Sequence, residues 1–293
     1  QLSLAATFPR MAAMEDEYGS LTRALLAKMR QARRQGGHSA GPAGPGGTLT
    51  SLANGMEQLP SALARKLDGR LRLDAGVNAV TEVGEGFRLT TTNTPLTVDA
   101  VVLTTPAKDT AGLLDAVAPA AVDPLRNIRT VPIAVVMTSY DSSAFDRPPQ
   151  GFGVLVPGTE SLGILGTLYC HSIFAGQAPS GSIFLRTMVG GARDPEAVEL
   201  DDDELLARTR GALRLVLGAD PDPTRVWIVR WAEGISQYTA GHLERVKQIE
   251  TATRAAGIEV AGSAYRGVSV NDCIRQARQA ARRVADRLAG TRG

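Results

Sequence analysis

The segment Gly257-Ile-Glu-Val-Ala-Gly-Ser-Ala-Tyr-Arg-Gly-Val-Ser-Val-Asn-Asp-Cys-Ile274, continued by Arg275 to Leu288, limits the folds open to this chain more than any other stretch. It reads as a short strand, a Gly-punctuated turn and a long helix. Ile258, Val260 and Ala261 form a brief apolar run of the kind buried in a sheet. Gly262 and Gly267 give the turn backbone freedom, or room for another backbone or a ligand to come close. Asn271 and Asp272 suit an N-cap or a first helical turn. Ile274, Ala277, Ala281, Val284 and Leu288 then recur at near-helical spacing and predict one apolar stripe. The free N–H groups and the dipole at such a helix start can meet an anion or the edge of a ring cofactor. The plain alternative is a β-turn-α unit packed in an α/β core.

The rest of the chain bounds what such a unit belongs to. At 293 residues there is room for one large domain or two interleaved ones. A net charge of +2 gives no argument for a nucleic-acid partner. Cys170 and Cys273 are far apart, without a CxxC motif or a disulfide framework, which suits a reducing compartment and a cytoplasmic location. His38, His171 and His242 show no HxxxH or HExxH spacing, so no zinc or iron site is expected. No apolar run approaches the ~18 residues of a membrane span, and the N-terminus lacks a signal-peptide pattern.

Residues 8–35 read as one amphipathic helix, with Met11, Met14, Tyr18, Leu21, Leu25 and Met29 on a face. It suits an ordinary surface helix or one that rests on a membrane or partner. Residues 36–47, rich in Gly and Pro, read as a flexible loop. From Thr48 a short strand enters the Asn54-Gly55 turn, and a helix follows with Met56, Leu59, Leu63 and Leu67 aligned. Leu71 to Pro106 is β in pattern. Its last run, Ala100-Val-Val-Leu-Thr-Thr-Pro106, suits a parallel strand buried on both faces. After a helical stretch at 107–126, strands are expected at Val131–Ser139, Gly153–Pro157, Leu162–Leu168, Ile183–Val189 and Arg225–Trp231. Helices are expected at Asp201–Leu217 and Leu243–Ala256. This organisation suggests a nucleotide-binding domain interrupted by a second, mostly antiparallel one.

Classical catalytic groups are scarce. Cys170 and His171 would point to opposite faces of a strand. Cys273, in a first helical turn, is either a thiol of lowered pKa or a small packed side chain. His242 is either a helix-start residue bonding nearby backbone or a proton relay. The sequence names no catalytic residue and no general base. A chain of this kind fits chemistry carried by a cofactor, with the protein supplying binding and orientation.

Seven segments in order carry a resemblance. Phe8-Pro9 with Glu17-Tyr-Gly-Ser-Leu21, Leu52-Ala-Asn-Gly-Met-Glu-Gln-Leu59 and Val101-Val-Leu-Thr-Thr-Pro-Ala107 come first. Gly151-Phe-Gly-Val-Leu-Val-Pro157 with Leu162-Gly-Ile-Leu165, and Leu185-Arg-Thr-Met-Val-Gly-Gly-Ala192, follow. Trp231-Ala-Glu-Gly-Ile-Ser-Gln-Tyr-Thr-Ala-Gly-His242 and Ala261 to Ile274 complete the set. Together they resemble the protoporphyrinogen and coproporphyrinogen oxidase family of FAD enzymes, with Ser236 where that family usually has Pro.

The resemblance implies an α/β (mixed α+β) fold. An incomplete FAD/NAD(P)-binding Rossmann-like domain would interleave with a mainly antiparallel β-sheet substrate domain with helices. The implied segments are 1–47 (helix and loop of the substrate or membrane side), 48–106 (FAD), 107–230 (substrate) and 231–293 (FAD). It implies FAD as cofactor, with Val77 at the adenine, Trp231 as an aromatic near the flavin, Gly262 as a close-approach glycine, and Val268, Ser269 and Val270 at the flavin and ribityl chain. It implies a porphyrinogen substrate, protoporphyrinogen IX or alternatively coproporphyrinogen III, with molecular oxygen reoxidising the flavin. A homodimer and peripheral membrane contact are further expectations. No strand-GxGxxG-helix occurs in the sequence, so the chain is expected to be the C-terminal portion of a longer enzyme and to bind FAD poorly by itself. Another amine-oxidase-like flavoenzyme, a carotenoid-type desaturase and a non-catalytic binding fragment are the rival readings.

Overall fold

In the computed structural model, which describes residues 2–34, 40–41, 44–45 and 49–290, the amphipathic N-terminal run is not one helix. It forms α1 (Leu4–Thr7), α2 (Pro9–Tyr18) and α3 (Leu21–Arg34). Gly19 takes the left-handed conformation at φ +69° and closes α2, and the Ser20 hydroxyl accepts from the Thr22 N–H to start α3. Most of the expected 36–47 loop lies outside the described residues; within it only Ala40–Gly41 (β1) and Gly44–Pro45 (β2) are described, and they form a small antiparallel pair. Residues 49–53 form no strand, because no neighbouring ladder accepts them among the described residues. Helix α4 (Gln58–Leu67) follows, with Pro60 in its first turn, where a missing N–H costs nothing.

Strands β3 (Val77–Val83), β4 (Gly86–Thr91) and β5 (Leu96–Val98) form an antiparallel meander. Leu71 and Leu73 stay outside it, and Leu73 is 75 % exposed. Next come β6 (Val101–Leu103), α5 (Ala107–Leu114) and α6 (Pro119–Arg126). The middle of the chain supplies β7 (Thr130–Asp141), β8 (Gly153–Leu155), β9 (Gly166–Tyr169), the single turn α7 (Cys170–Ile173), β10 (Ser182–Gly190), α8 (Asp202–Leu217) and β11 (Arg225–Ser236). The chain ends with α9 (His242–Ala255), β12 (Ile258–Val260) and α10 (Val270–Gly290).

The chain divides into two compact units. One comprises the described residues of Gln1–Arg30, Ala64–Arg129 and Ser236–Gly293, the other those of Gln31–Leu63 and Thr130–Ile235. In the first, β6 and β12 pair in parallel, Ile258 opposite Val101 and Val260 opposite Leu103. The pairing is the expected parallel one, but only one face of β6 is covered, and Val102 is 40 % exposed. Helices α5 and α6, expected with the middle domain, pack in this unit. Ala107, Leu114, Val122 and Leu125 share one core with Val246, Ile249, Ile258 and Tyr265. Burying such side chains stabilises by about 1.5–3 kcal/mol each, which fixes where the two short helices belong.

The stripe expected on α10 is only in part its inward face. Gln276 and Ala280 are buried and Val284 and Leu288 half-buried, while Ile274, Ala277 and Ala281 are exposed. Electrostatics turns the helix. Glu259 on β12 is buried, and Arg283 reaches its carboxylate at 2.8 Å. A buried carboxylate demands its cation more strongly than a few half-apolar contacts demand burial.

In the second unit the strand order is β11-β7-β10-β9-β8, with antiparallel pairing from β7 through β8. Helix α8 covers one side. Its start is a capping box, in which the Asp201 carboxylate accepts from the Glu204 N–H and Glu204 accepts from the Asp201 N–H, and Gly218 ends it in the left-handed conformation. Leu205, Ala212 and Leu213 pack onto Ala134, Val136, Tyr140, Ile183, Leu185 and Val189 of the sheet.

Candidate functional site

In the first unit, the turn between β12 and α10 is held open in a defined shape. The Ala261 N–H bonds the Leu103 carbonyl, carrying the parallel pairing one residue past β12. Gly262 then sits at φ +145°. A Cβ there would meet only the Thr104 oxygen, at 3.8 Å, so glycine is needed for conformation and not for space. Tyr265 drops into the core, and burial pushes its phenol up to about 12. Gly267 is needed for space as well. A Cβ there would lie 2.5 Å from the Asp272 carboxyl carbon.

That carboxyl belongs to the cap of α10. The Ser269 hydroxyl accepts from the Asp272 N–H at 3.1 Å and donates to the Asp272 carboxylate at 2.6 Å. This hydroxyl, followed by Arg275, holds Asp272 below the usual carboxylate range against the opposing effect of partial burial. Cys273 is not an activated thiol, because partial burial and the Asp272 charge push it up.

Tyr238, to which the sequence assigned no role, and His242, read there as a helix-start residue or a proton relay, together clamp the turn. The Tyr238 hydroxyl donates to the Ser263 carbonyl at 2.7 Å and accepts from the Gly267 N–H at 2.9 Å. His242 stacks on Tyr238 with ring centroids 3.9 Å apart, and its Nε2 bonds the Tyr265 carbonyl at 2.8 Å. The ring is wholly buried, and burial lowers its pKa, so it is neutral with its proton on Nε2, facing that carbonyl. The signal for both residues was the Gln237-Tyr-Thr-Ala-Gly-His242 element itself, whose tyrosine and histidine serve one turn.

The turn presents apolar side chains outward: Val268 is 61 % and Val270 48 % exposed, and Ile274 is exposed beside them. An apolar rim at a helix N-terminus suits a flavin, whose ring has an apolar edge and a polar, anionic-tending one. Gly262, Val268, Ser269 and Val270 are thus brought together on one loop. Val77 lies elsewhere in this unit, at the bulged start of β3 opposite Thr91. Trp231 belongs to the second unit, on β11.

In that second unit, strand alternation gives the sheet two characters. Ala134 and Val136 of β7 and Ile183, Leu185 and Val189 of β10 face α8. The intervening Val135, Met137, Phe184 and Arg186, with Val229 and Trp231 of β11, line an open cavity of about 770 Å³ together with residues 51–55, Cys170 and Phe174. Phe184 meets Trp227 edge-on at 6.0 Å. This volume falls among those of small-molecule sites, about 300–1,000 Å³.

Cys170 and His171 are not on a strand but open the turn α7, which ends β9. His171 is held between the Pro149 carbonyl at 2.9 Å and the Phe184 backbone at 3.3 Å. Burial pushes the Cys170 thiol up, against the pull of Arg186. Neither is poised as a nucleophile. Among the described residues no cluster of His, Cys, Asp and Glu could hold a metal ion. The arrangement offers an apolar-lined cavity and a turn that presents apolar side chains at a helix start.

The glycine turn ahead of α10 lies in the first unit and the apolar cavity in the second. Residues 1–285 match the model of the flavin containing amine oxidoreductase family, and the chain belongs to that family. Its cofactor class is therefore flavin, in keeping with the expected FAD. The chain is 33% identical to a coproporphyrinogen III oxidase of Propionibacterium freudenreichii subsp. freudenreichii, over 98% of this chain and 58% of that protein. It is 27% identical to a chloroplastic protoporphyrinogen oxidase of Nicotiana tabacum, over 97% of this chain and 55% of the relative. A solved structure of a protoporphyrinogen-oxidase-like protein from Exiguobacterium sp. 255-15 superimposes with a TM-score of 0.77 at 28% identity, covering 95% of this chain and 58% of that one. The chain thus spans little more than half the length of the proteins it matches.

Proposed function

We propose that the protein carries out oxygen-dependent, FAD-linked oxidation of a porphyrinogen in haem and porphyrin biosynthesis. The observation that carries this reading is the apolar, tryptophan-edged cavity on the open face of the second unit's sheet, in a chain whose relatives are named for porphyrinogens. The substrate expected first is protoporphyrinogen IX, oxidised to protoporphyrin IX. The 33% identical relative favours coproporphyrinogen III as the second reading.

The residues proposed to hold the flavin are Gly262, Val268, Ser269 and Val270, with Val77 and Trp231 as further contacts. When bound, the flavin supplies acceptance of hydride equivalents, with molecular oxygen as the final acceptor. The chain's own part is physical. Tyr238 and His242 fix the turn that presents Val268 and Val270. Val135, Met137, Phe184 and Val229 give the macrocycle an apolar floor from which water is excluded.

Helices α2 and α3, with exposed Met11, Leu25, Leu26 and Met29 next to Arg23, Lys28 and Arg30, support peripheral contact with a membrane surface. No helix among the described residues is long and apolar enough to cross one.

The test is oxidation by the FAD-bound protein, with flavin occupancy checked by absorbance. Porphyrin fluorescence should rise in proportion to protein under air and stop when oxygen is removed. If neither porphyrinogen is oxidised faster than in protein-free buffer, the reading is wrong.

A further inference from the structure

The cavity of the second unit has one charged residue in its lining among the described residues, Arg186, and no carboxylate beside it. Arg186 sits on β10, the middle strand of the five, between Met137 of β7 and Leu168 of β9. Its guanidinium is exposed and takes part in no salt bridge among the described residues. Arg208, Arg210 and Arg230 of the same unit are paired with Asp194, with Asp220 and Asp222, and with Asp202, and Arg147, Arg193, Arg214 and Arg225, which show no salt bridge among the described residues, lie outside the cavity lining. The fold thus leaves one fork of donors at the centre of an otherwise apolar floor. A ligand covering that floor displaces the water around Arg186 and must replace those hydrogen bonds, or the desolvated cation weakens binding. Arginine's planar fork matches a carboxylate in bidentate geometry.

We propose that Arg186 anchors a peripheral carboxylate of the substrate, and that the tetrapyrrole best suited to the cavity carries propionates around its whole rim, the coproporphyrinogen type. This rests on the porphyrinogen reading above and selects within it. A ring with a propionate on every pyrrole meets Arg186 in each in-plane orientation. A ring with vinyl groups on two pyrroles turns an uncharged edge to Arg186 in part of its orientations. Arg186 is a specificity-determining residue in this account, and it moves no proton or hydride.

The test is binding of oxidised porphyrins to the 293-residue chain, read by porphyrin fluorescence anisotropy in one detergent buffer. The probes are coproporphyrin III, its tetramethyl ester and protoporphyrin IX. In the unaltered chain coproporphyrin III should bind about 10-fold more tightly than the ester, the value of one charge-assisted hydrogen bond. Arg186→Met should erase that gap by weakening coproporphyrin III, leave the ester unchanged and weaken protoporphyrin IX less. Arg186→Lys should keep most of the gap, which separates a charge role from a packing role. An ester that binds as tightly as the acid, or an Arg186→Met variant that weakens all three porphyrins alike, overturns the inference and leaves the porphyrin reading standing. If none of the three binds, the reading falls and the inference falls with it.

Discussion

At Tyr238 a single hydroxyl serves two backbone groups of the 262–267 turn, one as donor and one as acceptor. Tyr238→Phe keeps the ring stacked on His242 and leaves the Ser263 carbonyl and Gly267 N–H without their partner. Leaving such groups unpaired costs about 1–3 kcal/mol. Urea unfolding should show that loss, and an unchanged midpoint would contradict the clamp. His242 makes a second prediction. Its pKa is lowered by burial, so the unfolded chain binds the proton more readily than the folded one. The stability contributed by the neutral ring is present above the ordinary imidazole range, near about 6.5, and is lost as pH falls below it. Unfolding free energies at neutral and mildly acidic pH should diverge less in His242→Gln than in the unaltered chain, and equal pH slopes would remove the argument. The sequence showed His242 as a helix-start residue, and α9 does begin there. Its acceptor is 23 residues away, at Tyr265. Spacing along the chain carries no information about a partner brought in by tertiary packing.

At the scale of elements, α10 separates two kinds of signal. Its length and place were legible from the 3.6-residue period and the polar start after Gly267. Its buried face was not, because Glu259 and Arg283 outweigh the apolar count. Arg283→Met should therefore destabilise by about 1–3 kcal/mol, since it leaves the buried Glu259 carboxylate only the more distant Arg254, at 3.8 Å, while Ile274→Ser should stay within about 0.5 kcal/mol. Thermal unfolding of the two variants decides it, and the reverse order would mean that the apolar stripe is the packed face. Ser269→Ala removes the cap of α10 and should cost about 1 kcal/mol. The N-terminal helix was misread for a similar reason. The apolar period runs through Tyr18 and Leu21 unbroken, yet Gly19 and Ser20 are a stop and a start, and local backbone chemistry prevails over the period. The start of α8 was legible to within a residue because the groups that cap it, Asp201 and Glu204, are close in sequence, although their reciprocal bonding was not read from it.

For the whole molecule, the alternation of strands and helices identified an α/β part and an antiparallel part, and both are present as β6 with β12 and as the five-stranded sheet. Where α5 and α6 belong was not legible. They follow β6 directly, and only the core they share with α9 and β12 assigns them to the first unit. The β12-turn-α10 unit, proposed to face the cofactor, was legible as a strand, turn and helix because it is one continuous segment. The ligand cavity was not, because its lining comes from β7, β10, β11, α7 and residues 51–55, which no spacing rule joins. That cavity is the centre of the account, and the chain carries its own reporter there. Both of its tryptophans are on β11, Trp231 in the lining and Trp227 against Phe184. The most direct measurement is tryptophan fluorescence during titration with coproporphyrin III, in the Trp227→Phe chain and again with Met137→Glu added. The account predicts saturable quenching of Trp231 in the first. It predicts loss of that quenching in the second, where a carboxylate opposite Arg186 neutralises the anchor and charges the apolar floor. Absence of saturable quenching, or quenching that survives Met137→Glu unchanged, would contradict it.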